Sequence, residues 1–383
     1  MVYTKAIDSD HAAVELCKKV TAAIPSGSPD VVILFASSRY DQPRLLAALQ
    51  QHCKPRILLG ASSAGEFTSD TQGDGLACAL ALRSTDLSFS ASVGTGLSRD
   101  RKAAAAAIDE RFRGVKSHHY LYRSALVMTD ALAGHADDLI DQLTVATSGQ
   151  YQFFGGGAGD DAQFRRTQVF FGTEAIEDAA VALEILSDKP LGIGVGHGWQ
   201  PASPGMRVTA TDGMRLVSLN GMPPIDAFET HAAATGQQID RSAPIPFFLH
   251  NILGIETGSG HRLRVPLSIG QDGSVLCASE LPVGATVHIM RTNVASAVEA
   301  AKRATQAALD GLQGGKPQVA LFFDCVATRL RMGDAFGLEL QALGELLGDA
   351  EFAGCNTHGQ IARAKGQFSG FHNCTAVVCI IPE

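Results

Sequence analysis

The chain has 383 residues, room for two or three domains at roughly 150 residues each. Hydrophobic residues make up 45% of it, which excludes a disordered chain and supplies sizeable cores. A net charge of −8 and an isoelectric point near 5.8 exclude the basic face of a nucleic-acid binder.

The N-terminus is polar, with Ser9 or Asp10 placed to cap a helix reaching about Ala22, and it carries no apolar signal core. No apolar run reaches the ~18 residues of a membrane span. A cytoplasmic protein is therefore expected. Next come an apolar strand at 31–37, an amphipathic helix to about His52, the turn Gly60-Ala-Ser-Ser-Ala-Gly-Glu66 and a strand at 75–82. Residues 87–94 alternate with period two as a strand, and 99–112 read as an Ala-rich helix. A looser second copy follows: a strand at 125–130, a helix near 135–146, the run Phe153-Phe-Gly-Gly-Gly-Ala-Gly-Asp160 and a strand at 180–186.

From about 191 to 292 the pattern breaks. This stretch holds Gly192-Ile-Gly-Val-Gly-His-Gly-Trp199, a β-like 207–211 with a turn at Asp212-Gly213, a helix at 224–234 and Pro-rich 243–250. Residues 262–269 and 275–278 form a hairpin about Asp272-Gly273. A strand at 286–293 and a helix at 295–312 then lead into a third copy. That copy has a strand at 319–325, a helix at 334–347, Phe352-Ala-Gly-Cys-Asn-Thr-His-Gly-Gln360 and a strand at 375–381. Gly60, Gly65 and Glu66 align with Gly354, Gly359 and Gln360 without a gap. A thrice-used unit predicts a duplicated scaffold around one shared site, with glycine turns that let backbone approach a ligand closely. The fold expected is two-lobed layered α/β with an irregular β-rich insertion near 191–292, divided into domains 1–190 and 191–383. The eight cysteines form no CxxC pair and read as small buried thiols.

The first turn is neither a G-x-S-x-G elbow nor a Walker loop. It reads either as a tight turn whose serines satisfy backbone groups or as a polar ligand floor of Ser62, Ser63 and Glu66. Asn356, Thr357 and Gln360 repeat it with richer side chains, and both turns line one cleft if the halves face each other. With no Ser–His–Asp order, HExxH or paired-carboxylate motif, an enzyme is not expected; as one, the chain would rely on Glu66, Asp130 and Asp160.

The turns 60–66 and 155–160 resemble the N-terminal FIST domain. His197-Gly-Trp-Gln-Pro201, Arg207-Val-Thr209, Asp324-Cys-Val-Ala-Thr-Arg329 and 354–360 resemble its C-terminal FIST partner. The resemblance covers nearly the whole chain, with no attached output domain, and implies a sensor of small ligands. Residues 356–363 and 370–378 most resemble the haem-binding, nitric-oxide-sensing branch NosP, which acts with a histidine kinase or cyclic-di-GMP proteins. Gly359-Gln360 stands where the broader family has Gly-Glu, which weakens a carboxylate role carried over to that position.

A haem needs an axial donor, usually histidine, in an apolar pocket. Of twelve histidines, His11, His52, His118, His119 and His135 lie in polar or helix-end settings. His197 sits between glycines beside Trp199, which suits a planar macrocycle; His250 follows Phe247-Phe-Leu249; His372 lies between Phe371 and Asn373; His358 occupies the third turn. Each reads as a satisfied core or turn histidine or as an iron ligand, with His250 and His197 leading and His372 behind them. Arg262 and Arg264 share a strand face and suit propionates, or are ordinary exposed arginines. Two functions are thus expected of a non-enzymatic sensor. One carries haem b, senses nitric oxide and signals to a separate histidine kinase or cyclic-di-GMP protein. The other binds a polar metabolite such as an amino acid without haem. Neither involves nucleic acid or membrane, and a homodimer stays open.

Overall fold

The computed structural model describes residues 1–25, 27–116, 119–258, 260–364 and 369–383, so His118 lies outside the described residues. The fold is layered α/β. Three six-stranded sheets are built alike. The first runs Val2–Thr4, Ala77–Leu82, Val31–Ser37, Ile57–Ser63, Val169–Phe171, Glu174–Ile176. The second runs Ser88–Thr95, Ala179–Ser187, Tyr122–Thr129, Gln152–Gly157, Gln360–Arg363, Ser369–His372. The third runs Gly192–Gly196, Ala376–Pro382, Pro317–Cys325, Glu351–Thr357, Glu66–Thr68, Thr71–Gly73. In each, two parallel strands are flanked by an antiparallel strand of the same repeat and by a hairpin lent by another repeat. The first repeat lends its hairpin to the third sheet, the third to the second, and the second to the first.

The strand run Val31-Val-Ile-Leu-Phe-Ala-Ser37 is apolar throughout because both faces are buried. Val31, Ile33 and Phe35 point into a core shared with Leu126, Met128, Leu321 and Phe323 from the other two sheets. Val32, Leu34 and Ala36 pack outward against the helices Ser9–Ala23 and Gln42–Cys53. Helix pairs cover the outer faces of the second and third sheets in the same way. The first helix is capped by Asp8, whose side chain accepts from His11 N at 2.9 Å, rather than by Ser9 or Asp10.

The insertion forms a fourth sheet of its own, with strands from Gln200–Pro201 to Thr286–Arg291 and its own core around Phe228 and Phe248. Two expectations change here. The strand at 286–291 belongs to this insertion, and the edge strand of the third repeat is Gly192–Gly196. The run 262–269 splits, because Gly260–Arg264 pairs with Ile252–Thr257 while only Pro266–Ile269 pairs with Val275–Cys277. Cys17 and Cys53 form a disulfide between the first two helices, which departs from the expected free thiols; the other six cysteines are buried and free.

Candidate ligand site where the three turns meet

The three turns close a ring. Ala64 N donates to Asn356 O at 2.9 Å, His358 N to Gly157 O at 3.0 Å and Gly159 N to Ser62 O at 2.8 Å. The register makes Gly60, Gly155 and Gly354 equivalent, each facing a carbonyl of its parallel neighbour. A Cβ there would lie 1.8 Å from Leu34 O, 2.1 Å from Val127 O and 1.8 Å from Phe322 O respectively. These three glycines therefore serve close packing of strand on strand rather than approach of a ligand. By the same register Asp161, not Asp160, is the equivalent of Glu66 and Gln360.

Most hydroxyls of the expected ligand floor are satisfied inside the protein. Ser62 Oγ accepts from Gln168 N at 2.9 Å, and Ser63 Oγ donates to Glu66 Oε1 at 2.5 Å. Thr357 Oγ1 donates to Asp324 O at 3.3 Å and accepts from Gln360 Nε2 at 2.9 Å. Glu66 Oε2 accepts from Leu76 N at 2.9 Å, and Gln360 Oε1 from Thr375 N at 3.3 Å, so the two positions do one structural job. Burial pushes the Glu66 carboxyl up to about 8. Asp130 and Asp160 are likewise used by backbone: Asp130 accepts from Asp178 N, and Asp160 from Phe164, Arg165 and Arg166 N.

Asn356 is different. It is 1% exposed, yet neither Oδ1 nor Nδ2 has a partner. It lines a cleft of about 510 Å³ between the hairpin of the first repeat and the helix Val326–Met332, together with Glu66, Asp74, Asp161, Arg329 and Asp334. Asp161 uses Oδ2 to accept from Ser37 and Ser38, while its buried Oδ1 has no partner. Arg329 donates to Ala64 O at 2.8 Å and pairs with Asp74. Gly65, at φ +131°, is bare because a Cβ would lie 2.0 Å from Arg329 Nη1 and 2.8 Å from Asn356 Oδ1.

A second, apolar cavity of about 120 Å³ lies on the other side of Val326, lined by Leu132, Phe164, Val265, Leu276, Cys325 and His358, among others. Phe164 stacks on the His358 ring at 4.3 Å.

Residues 30–222 match the FIST N domain and residues 227–363 the FIST C domain. The chain belongs to the FIST family. FIST domains are small-ligand-sensing domains of signalling proteins. A comparison with curated proteins returns no match. Among solved structures, cyanuric acid hydrolase from A. caulinodans is similar at a TM-score of 0.31 and 8% identity, over 100% of this chain and 98% of that one. A likeness that low says nothing of what this FIST protein does.

The histidines and arginines expected to hold a haem in this FIST protein are placed as follows. His197 has both ring nitrogens in use, Nε2 with His261 O at 3.0 Å and Nδ1 accepting from Trp199 N at 3.3 Å. The glycines around it face a helix: a Cβ at Gly194 would lie 1.7 Å from Ala304 O, and at Gly198 2.2 Å from Ser296 O. They admit the helix Val294–Gly311, not a macrocycle. Trp199 is buried in the core between insertion and repeats, under the Arg331 guanidinium. His250 is exposed at the end of the short helix Ile245–Phe248. His372 is buried within its sheet, in register with Gln360, and burial pulls its pKa down to about 3. Arg264 is buried and bonded to Asp137, with Glu280 O and Leu263 O as further acceptors, and Arg262 also pairs with Asp137. These two arginines join the insertion to the helix Ala136–Ala146, so they are not waiting for propionates.

His358 lines a cavity with neither ring nitrogen hydrogen-bonded, Nε2 lying 3.5 Å from Asp160 Oδ1. That cavity holds about 120 Å³, whereas pockets for drug-sized ligands hold roughly 300–1,000 Å³. The residues present do not fit a haem in this arrangement. Among the described residues no group of three or more His, Cys, Asp or Glu side chains is placed to hold a metal ion, and no helix is long and apolar enough to cross a membrane.

Sequence reasoning missed Arg329, Asp161 and Asp74 as cleft residues. Arg329 lay inside the 324–329 motif, which was the available signal. Asp161 needed the strand register, and Asp74 needed its distant partner.

Proposed function

We propose that this FIST protein senses a small polar ligand carrying an ammonium group and a carboxylate, such as an amino acid, in the 510 Å³ cleft. The observation that carries this reading is the Asn356 amide, buried with donor and acceptor both unpartnered. Leaving such a group unpaired costs about 1–3 kcal/mol, so it takes a partner from solution, either water or a ligand that displaces water. Three aspartates, Asp74, Asp161 and Asp334, outnumber the one guanidinium in the cleft, and the Glu66 carboxyl is largely neutral near pH 7, so the balance still draws an ammonium toward Asp161 Oδ1. Arg329 has five N–H donors, enough to hold a ligand carboxylate beside Asn356 Nδ2 while keeping Ala64 and Asp74. Ligand contacts to the helix Val326–Met332 and to the first hairpin would bias how the two pack, and a separate protein such as a histidine kinase or a cyclic-di-GMP protein in the cytoplasm would read that bias.

Thermal shift against the twenty amino acids, followed by calorimetry, tests the proposal. A ligand at a hundred times its Kd raises stability by about 2.7 kcal/mol. Asn356→Ala and Asp161→Asn should abolish that gain while the apo protein still unfolds cooperatively. The reading fails if no amino acid or amine stabilises the protein, or if both variants bind as the wild type does.

The haem-based nitric oxide sensor is the second reading; it would use His358 as axial donor and requires the chamber beside it to open well beyond its 120 Å³. A saturable one-to-one Soret band that disappears in His358→Ala would establish it over the polar-ligand reading.

A further inference from the structure

We propose that the 120 Å³ chamber beside His358 is a second binding site, for a small uncharged molecule with an apolar body and one hydrogen-bonding group. The site is independent of the cleft reading.

Its walls are mostly apolar: Leu132, Phe164, Val265, Leu267 and Leu276. Two buried polar side chains open into it with unused capacity. His358, 8% exposed, makes no hydrogen bond through Nδ1 or Nε2, and Nε2 has only the longer contact with Asp160; Asn373, 2% exposed, has an unpartnered Oδ1. Burial holds the His358 pKa down to about 4, so near pH 7 the ring is neutral and offers one donor and one acceptor. Asp160 Oδ1 lies 3.5 Å from Nε2, and its carboxylate disfavours an anionic guest. An apolar cavity of about 150 Å³ can stay dry and bind benzene, so this volume suits a slightly smaller molecule.

The chamber exists because of the two places where the chain departs from its threefold plan. One is the longer link after the second turn, residues 161–168, which supplies Phe164. Asp161, Ala162 and Phe164 there adopt left-handed backbone at φ 53°, 62° and 53°, a conformation that non-glycine residues hold only when surroundings enforce it. The other is the insertion, which roofs the chamber with Met214, Val265, Leu267 and Leu276. At the rim, Leu132 and Phe164 remain 42% and 43% exposed, an apolar mouth left open to solvent.

The probes are pyrazole (neutral, planar, with one N–H), benzene and acetate, titrated into the full-length protein while the His358 ring nitrogens are followed by NMR. Pyrazole should shift them saturably, benzene should bind more weakly, and acetate should leave them unmoved. Leu132→Trp, at an exposed position that leaves the core intact, should block the mouth and weaken pyrazole at least tenfold; Asn373→Leu should weaken pyrazole but not benzene. Asn356→Ala should leave pyrazole binding unchanged even where cleft ligands are lost, which separates the two sites. The proposal is overturned if pyrazole gives no saturable shift, if acetate binds as well as pyrazole, if Leu132→Trp binds unchanged, or if a crystal soaked in pyrazole holds only water in the chamber.

Discussion

Glu66 holds a buried carboxyl whose proton is tied to burial, and its counterpart Gln360 does the same structural work without one. A carboxyl whose folded pKa of about 8 lies above its ordinary 4.5 binds its proton more tightly when folded. Its contribution is fully present below about pH 4.5 and is lost as pH rises toward 8. Glu66→Gln should therefore raise the melting temperature at pH 8.5 and change it little at pH 4.5. At about 1.4 kcal/mol per pH unit the gain is up to a few kcal/mol. Equal melting curves at both pH values would show that the carboxyl is not desolvated. His358 and His372 act with the opposite sign. Their folded pKa values, about 4 and about 3, lie below the ordinary 6.5, so their contribution is present above pH 6.5 and is lost as pH falls through those values. His358→Gln should lower the midpoint of acid unfolding; an unchanged midpoint would mean His358 is solvated.

Strand Gly192–Gly196 and helix Val294–Gly311 pack backbone against backbone. Gly192 and Gly194 meet the carbonyls of Ala308 and Ala304, where a Cβ would lie 1.8 Å and 1.7 Å away. The helix presents Ala297, Ala300, Ala304 and Ala308 to this strand and its neighbours, so small faces small and the backbones close up. Gly194→Ala must push the helix off the sheet and should destabilise by more than the 3 kcal/mol or so of an ordinary severe substitution. Chemical denaturation of Gly194→Ala beside Gly258→Ala, which has open space around it and no left-handed backbone, measures the difference. The alternation of glycine with Ile193 and Val195 was visible in the sequence, but which partner it faced was not. A glycine that admits a helix and one that admits a ligand look the same in a string.

At the scale of the whole molecule, the exchanged hairpins tie the repeats into one unit. Residues 1–190 lack the hairpin 360–372 that completes the second sheet, and residues 191–383 lack the hairpin 66–73 that completes the third. Each fragment alone leaves a parallel strand with an open, apolar edge, an aggregation-prone state. Expressed separately, the two fragments should be insoluble or molten, and co-expressed they should assemble. A dispersed, monomeric NMR spectrum from 1–190 alone would refute this.

The sequence determined much of the framework by itself: three repeats, the central strands and helices of each, the separate insertion and the location of the turns, though not the exchanged hairpins. These follow from local periodicity and glycine placement, which each segment carries regardless of its neighbours. Tertiary structure decided which of the polar turn residues are open. Ser62, Ser63, Thr357 and Gln360 read as ligand groups in the string, yet partners such as Gln168 and Thr375 consume them. Asn356 reads no differently, and it stays unpartnered because its backbone, not its side chain, is what Ala64 and Gly65 bind from some 290 positions away. A hydrogen-bonding group is available only if no neighbour reaches it, and those neighbours are fixed by how the repeats close on one another.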